Sequence, residues 1–277
     1  MAHMHVMSGA GDKLDMPVVQ SITLSDLMVA LRRGAEDFWA KPSHYVLLML
    51  IYPIIGVVLT VWMNGFYTWP LLYPLIGGFA LIGPVAALPL YEISRRREMG
   101  EEPSWRDAMN VIHSPAIGSI LAVGAMLFVL FTLWLTSAQA LYESLFGSAP
   151  PQTFQGLFAQ IFAEPGGMTL AIVGTAIGAC FALVVLCTSV VAFPLLLDRD
   201  VGAYVAVETS FRAVIRNPIP MLAWGVIVGV SVFVGALTLF VGLAVILPIL
   251  GHATWHLYRR TVGSASIIRG MGDEERV

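Results

Sequence analysis

Long apolar runs alternate with short polar segments along this chain. The runs extend from about His44 to Met63, Leu71 to Ile93, Ala116 to Ala138 and Met168 to Leu197. A last apolar block reaches from Pro218 to Tyr258. A bilayer core about 30 Å thick takes about 20 apolar residues as helix. Each of the first four runs suits one span. The last block is too long for one and suits two helices joined by a tight turn near Gly235 to Thr238. The pattern predicts an all-α polytopic membrane helical bundle of about six transmembrane helices. The second run is broken by Pro74, Gly77, Gly78, Gly83, Pro84 and Pro89. Such residues serve close packing and kinks, or leave backbone carbonyls open to a substrate.

Composition agrees with the pattern. Hydrophobic residues make up 57% of the 277 and charged residues 12%, with mean hydropathy +0.80. A soluble chain is about a quarter charged, and one this poor in charge lacks the groups to cover a water-facing surface. The net charge of −3 gives no basic excess, which argues against a nucleic-acid partner. Asp12, Lys13, Asp15 and Asp26 interrupt the start, so no cleavable secretory signal is expected. Residues 1–20 read as a disordered cytoplasmic N-terminus, 21–262 as the transmembrane domain and 263–277 as a cytoplasmic tail.

The positions of the cations orient the bundle. With six spans, every Lys and Arg falls in the N-terminal tail, the second–third loop, the fourth–fifth loop or the C-terminal tail. Cytoplasmic loops retain Lys and Arg during insertion, so both termini are expected in the cytoplasm. A five-span reading would put Arg259, Arg260, Arg269 and Arg276 outside. This predicts a multi-pass membrane protein with both ends on the cytoplasmic side.

Three short amphipathic segments, each closed by a proline, precede the first, third and fifth spans: 30–42 ending at Pro42, 104–115 at Pro115 and 209–218 at Pro218. Pro89, Pro194 and Pro248 stand near the cytoplasmic ends of the even spans. The chain therefore reads as three repeats of an interfacial helix plus a helical hairpin. Arg32, Arg33, Trp39, Trp105, Arg106, Arg212, Arg216, Trp255, Arg259 and Arg260 are the expected lipid-interface residues. An interfacial cation facing anionic lipid contributes about 1 kcal/mol. One long extracytoplasmic loop, 139–167, carries Phe154, Leu157, Phe158, Ile161 and Phe162 on one helical face. That helix could lie on the outer leaflet, cap the bundle or dock a partner.

Candidate chemistry is sparse. His252 and His256 are four apart, so both imidazoles share a helix face, a spacing that suits a metal or haem ligand pair. His44 and His113 fall at a similar depth as possible helpers. The simpler reading is that interfacial His, Trp and Tyr anchor helix ends. The predicted span centres hold no ionisable residue, which argues against a proton-coupled transporter or an ion pump. Cys180 and Cys187 are seven apart on one helix, about 10 Å, too far for a disulfide. Gly174, Gly178 and Ala182, and Gly225 with Gly229, form small-residue faces for internal packing or homo-oligomerisation. No phosphate-binding loop, dinucleotide fingerprint or nucleophile elbow occurs, so no catalytic residue is assigned.

The run Gly251-His252-Ala253-Thr254-Trp255-His256-Leu257-Tyr258-Arg259 resembles the C-terminal signature of a bacterial family of integral membrane proteins, domain-of-unknown-function family 2189. Residues 37–42, the Gly83-Pro84 step and residues 212–218 fit the same family, so the resemblance spans about 20–262. It implies a multi-span inner-membrane protein with no established activity. Some members carry a cytochrome c oxidase subunit label. Haem–copper catalysis needs several mid-membrane histidines, and the four outside the N-terminal tail all fall near one face. The reading is thus a non-enzymatic structural, accessory or lipid-interacting bundle without a cofactor, with lipid and a membrane protein or second copy as partners. A permease for a small neutral or hydrophobic molecule, or a haem or transition-metal accessory protein, are the alternatives.

Overall fold

The apolar runs fold as helices, and no strand occurs among the described residues. The computed structural model describes residues 16–40, 68–238 and 240–262, with isolated positions 54, 57, 58, 61 and 62 between the first two. Most of the first expected span, His44 itself and the tails 1–15 and 263–277 lie outside the described residues.

Helix α1, Leu24–Ala40, is amphipathic and buries Leu27, Ala30, Gly34, Asp37 and Phe38. Asp26 in its first turn accepts from the backbone N–H and hydroxyl of Thr23, both at 2.8 Å, satisfying donors that a helix start leaves open. A 3-10 turn, Trp69–Leu71, leads into α2, Leu72–Ala86, and α3, Leu88–Glu98. The break between them falls two residues ahead of Pro89, which has no N–H to continue the ladder. The segment expected to lie at the interface before the third span is a short helix α4, Trp105–Met109, with a 3-10 turn, Asn110–His113. Then come α5, Ile117–Phe146, α6, Phe154–Ala163, and α7, Gly167–Ser189. Helix α8, Ala192–Asp198, holds Pro194 and follows a break like that at Ala87. Helix α9, Ala203–Arg216, leads to α10, Pro218–Leu237, with Pro218 in its first turn as expected. The last helix, α11, is Leu243–Val262.

Three stretches are long and apolar enough to cross a membrane: Ile117–Phe146, Gly167–Asp198 and Pro218–Leu237. About six were expected from the apolar runs. The second is divided into α2 and α3 by the proline break, and α11 is 20 residues long but polar in its last turns. The final apolar block does divide, as expected, just after Leu237. The Thr238 hydroxyl donates to the Gly235 carbonyl and accepts from the Gly242 N–H, both at 2.8 Å, which closes the turn.

Glycines in the broken second run make room for large side chains. A Cβ at Gly77 would stand 2.2 Å from the Trp134 ring, and one at Gly78 would stand 2.7 Å from Phe131. Gly178 of α7 also meets this indole, 3.2 Å from where its Cβ would be. Gly225 faces Leu186. Gly178 and Gly225 of the small-residue faces thus pack inside the chain. Cys180 and Cys187 are free, as their spacing requires.

The best-buried core lies where α1, α3, α8, α9 and α11 meet. Ala30, Phe38, Val191, Phe193, Ala213, Trp255 and Tyr258 are there wholly enclosed. By contrast, only 28% of the apolar window of α5 and 33% of that of α10 are buried inside the protein. Phe128, Leu121, Ile219, Val226 and Leu237 point outward, as lipid permits and water does not.

Candidate functional site

Helix α11 lies in a bed formed by α1 and α3. A Cβ at Gly34 would lie 2.6 Å from the Ala253 nitrogen, so α1 crosses α11 with backbone against backbone. On the other flank, a Cβ at Gly251 would lie 2.6 Å from Leu90 of α3. The Gln20 N–H bonds the Thr261 carbonyl at 2.7 Å, and Asp26 pairs with Arg260, so α1 runs antiparallel to α11. These approaches bring together side chains more than 200 positions apart.

Asp37 is the centre of that junction. It is 8% exposed and belongs to the buried stripe of α1. Its Oδ2 accepts from the Ser94 hydroxyl at 2.5 Å and from His256 Nε2 at 2.8 Å. Its Oδ1 lies 3.2 Å from Arg97 Nε, and Arg97 also donates to the Asp37 backbone carbonyl at 3.2 Å. Ser94 has one hydroxyl proton and gives it to Asp37, so His252 Nδ1, 2.8 Å from Ser94 Oγ, is the donor of that contact. The chain of donors runs from His252 through Ser94 to Asp37, with His256 meeting the same oxygen. Burial presses the Asp37 carboxyl upward, but hydrogen bonds from His256 and Ser94 outweigh it and hold it below the usual carboxylate range.

Further ion pairs extend this junction into a collar. Glu92 accepts from Arg95 and Arg96, and Arg96 also reaches Asp107. Glu98 accepts from the Trp255 indole and from Arg259, each at 3.1 Å. Asp198 accepts from the Tyr258 hydroxyl at 2.6 Å and lies 3.4 Å from both Arg259 and Arg199. Leu90, Ser94 and Glu98 lie four apart on α3 and so present one face to α11.

The two histidines expected to share a face do so, with His252 Nδ1 turned to Ser94 and His256 Nε2 to Asp37. No group of three or more His, Cys, Asp or Glu suited to a metal occurs among the described residues. His113 is exposed on its 3-10 turn. Trp39, Arg32, Arg33, Arg106, Arg212 and Arg216 are exposed. Trp255 is not: it is wholly buried, because α3 supplies Glu98 as an acceptor for its N–H. Arg259 and Arg260 are drawn inward by Glu98, Asp198 and Asp26. For Trp105 only the backbone is described.

At the break in the second apolar run the backbone around Ala87 is bonded within the chain. The Ala87 N–H bonds the Gly83 carbonyl at 2.8 Å, and the Leu90 and Tyr91 N–H groups both bond the Ala87 carbonyl at 2.9 Å.

Outward apolar helix faces and one charged collar are the build of a protein with lipid as its solvent. Residues 71–198 match the model of the family described as "Predicted integral membrane protein (DUF2189)". This is an integral membrane protein. The DUF2189 match runs from α2 through α8 and holds the Gly83-Pro84 step, Ser94, Arg97, Glu98 and Asp198. Residues 37–42, 212–218 and 251–259 fall outside it, so Asp37, His252 and His256 complete the collar from beyond the DUF2189 stretch. No curated protein and no solved structure matches the chain.

Proposed function

We propose that this protein is a non-enzymatic scaffold of a bacterial inner membrane, in the sense of an accessory or lipid-interacting bundle with its charged collar and both termini in the cytoplasm. The observation that supports it is the mutual satisfaction of the collar. Asp37, Glu92, Glu98, Asp198 and Asp26 each hold a cation, indole, imidazole or hydroxyl of the chain itself. A carboxylate that serves as an acid, a base or a proton carrier must exchange partners during its work. Asp37, Glu98, Asp198 and Asp26 are instead tied into helix–helix contacts, which fix the outer shape of the bundle. That shape is what a lipid shell or a membrane partner meets. The collar is built of three interfacial-plus-hairpin units in this reading, with six spans in all. His252 and His256 hold α11 to α1 and α3, and no cofactor is needed.

Affinity purification in mild detergent, followed by lipid, metal and protein analysis of one sample, tests the reading. Lipid or a membrane protein retained at a fixed ratio, with no metal and no Soret absorbance, is the expected result. Stoichiometric metal or haem that His256→Ala removes would overturn it. So would saturable solute flux in proteoliposomes.

A further inference from the structure

Helix α6 stands in the loop between α5 and α7, at the end of the bundle away from the collar. Its ten residues, Phe154–Ala163, include no charge. The Thr153 hydroxyl caps its start by accepting the Gly156 N–H at 3.1 Å. Two contacts fix the roll of the helix. Leu157, with Ile161 beside it, packs on Trp69, Leu72 and Leu75, and the Tyr142 hydroxyl donates to Gln160 Oε1 at 2.8 Å. The flank next to this contact turns outward, with the Phe154 ring still edge-on to Trp69 at 5.9 Å. It carries Phe154, Phe158 and Phe162, which are 44%, 54% and 72% exposed. The three rings form a ladder along the helix, with centroids 5.9 Å and 4.5 Å apart.

We infer that this phenylalanine ladder is a membrane anchor, lying in the interfacial layer of the leaflet opposite the collar. Three observations name lipid as the occupant. The helix joins two stretches that are each long and apolar enough to span, so it sits at a bilayer boundary by connection. Met168 and Ile172 of α7 are 66% and 63% exposed and continue an apolar surface into the span. The helix has a polar edge as well: Gln155 and the flanking Glu164 are exposed beside the rings, the arrangement of a helix lying half in headgroups and half in acyl chains. The inference requires membrane integration but not the scaffold reading, and holds for either orientation of the bundle.

The test uses the full chain with Cys180 and Cys187 replaced by alanine, reconstituted in phosphatidylethanolamine–phosphatidylglycerol vesicles. An environment-sensitive fluorophore is placed at Phe158→Cys or, as a control, at Gln152→Cys, which is exposed just ahead of the helix. At 158 the emission is expected to be blue-shifted and quenched more by doxyl-labelled lipid than by aqueous iodide, with the ratio inverted at 152. Stronger iodide than doxyl quenching at 158 would overturn the inference. So would protection from both quenchers, which would mark a protein-covered face. Both positions are at the surface, and an unchanged elution volume confirms the fold.

Discussion

At the collar, α11 is gripped by α1 and α3 through backbone contacts at Gly34 and Gly251 and through a run of buried hydrogen bonds centred on Asp37. At the opposite end, α6 rests on Trp69 and Leu72 with one side only, and its aromatic rings face outward without charge nearby on the helix. The difference shows how a bilayer divides labour along one bundle. In the hydrocarbon region, helices meet lipid as readily as each other, so apolar burial gives little reason to associate. Fixing helix positions then falls to polar pairs and close backbone contact, and the chain concentrates these at one end. The other end is left to be held by lipid.

The sharpest way to break that contrast is at Asp37. Asp37→Ala leaves His256, Ser94 and Arg97 in a buried site without their acceptor, and removing one partner of a buried pair costs about 3–5 kcal/mol. A marked fall in thermal midpoint in detergent is expected, with Asp37→Asn between mutant and parent. The same group should give a pH signature. Its folded pKa is lowered from the ordinary 3.8, so its contribution is complete above about pH 4 and is lost as pH falls through the lower folded value. The midpoint of the parent should therefore decline on acidification below that point, and the part due to Asp37 should be missing in Asp37→Asn. Ser94, Arg97, His252 and His256 are the polar groups that face it, so Arg97→Gln should narrow the difference.

Backbone contact ranks next. Gly34→Ala forces a Cβ to within 2.6 Å of the Ala253 nitrogen, where backbone and not a flexible tip must move. Overpacking of this kind costs about 1–3 kcal/mol and should lower the midpoint without altering its pH dependence. The smallest effect is expected at the exposed Arg32–Glu36 pair, 2.9 Å apart with side chains 82% and 56% exposed. Arg32→Ala should change the midpoint by the equivalent of at most a few tenths of a kcal/mol, because exposed i,i+4 pairs contribute about 0.3–0.5 kcal/mol. Equal losses at Arg32 and Asp37 would mean that the collar is no better held than the surface.

Much of the helix layout could be read from the sequence, since apolar runs and prolines are local signals. The division of the last block after Leu237, the first-turn position of Pro218 and the helix over Phe154–Ala163 all follow from nearest neighbours. What escaped was set by contacts between distant segments. Asp37 and His256 are 219 positions apart, and no periodicity within either segment pairs them. A signal for Asp37 did exist: it follows Leu27, Ala30 and Gly34 on the apolar stripe of α1, where a carboxylate must find a partner. Trp255 departs from the expected interface position for the converse reason. A tryptophan near a helix end suits the lipid interface, and only α3 lying beside it turns it into a core residue with Glu98 as its acceptor.

The division between a collar inside and a lipid-held end outside is tested most directly by impermeant maleimide labelling of single cysteines in intact spheroplasts, on the Cys180→Ala, Cys187→Ala background. Glu101→Cys reports the collar side and Gln152→Cys the α6 side, both exposed. The expected result is labelling at 152 in intact cells and at 101 only after permeabilisation. Labelling of both positions in intact cells, or of 101 alone, would contradict it.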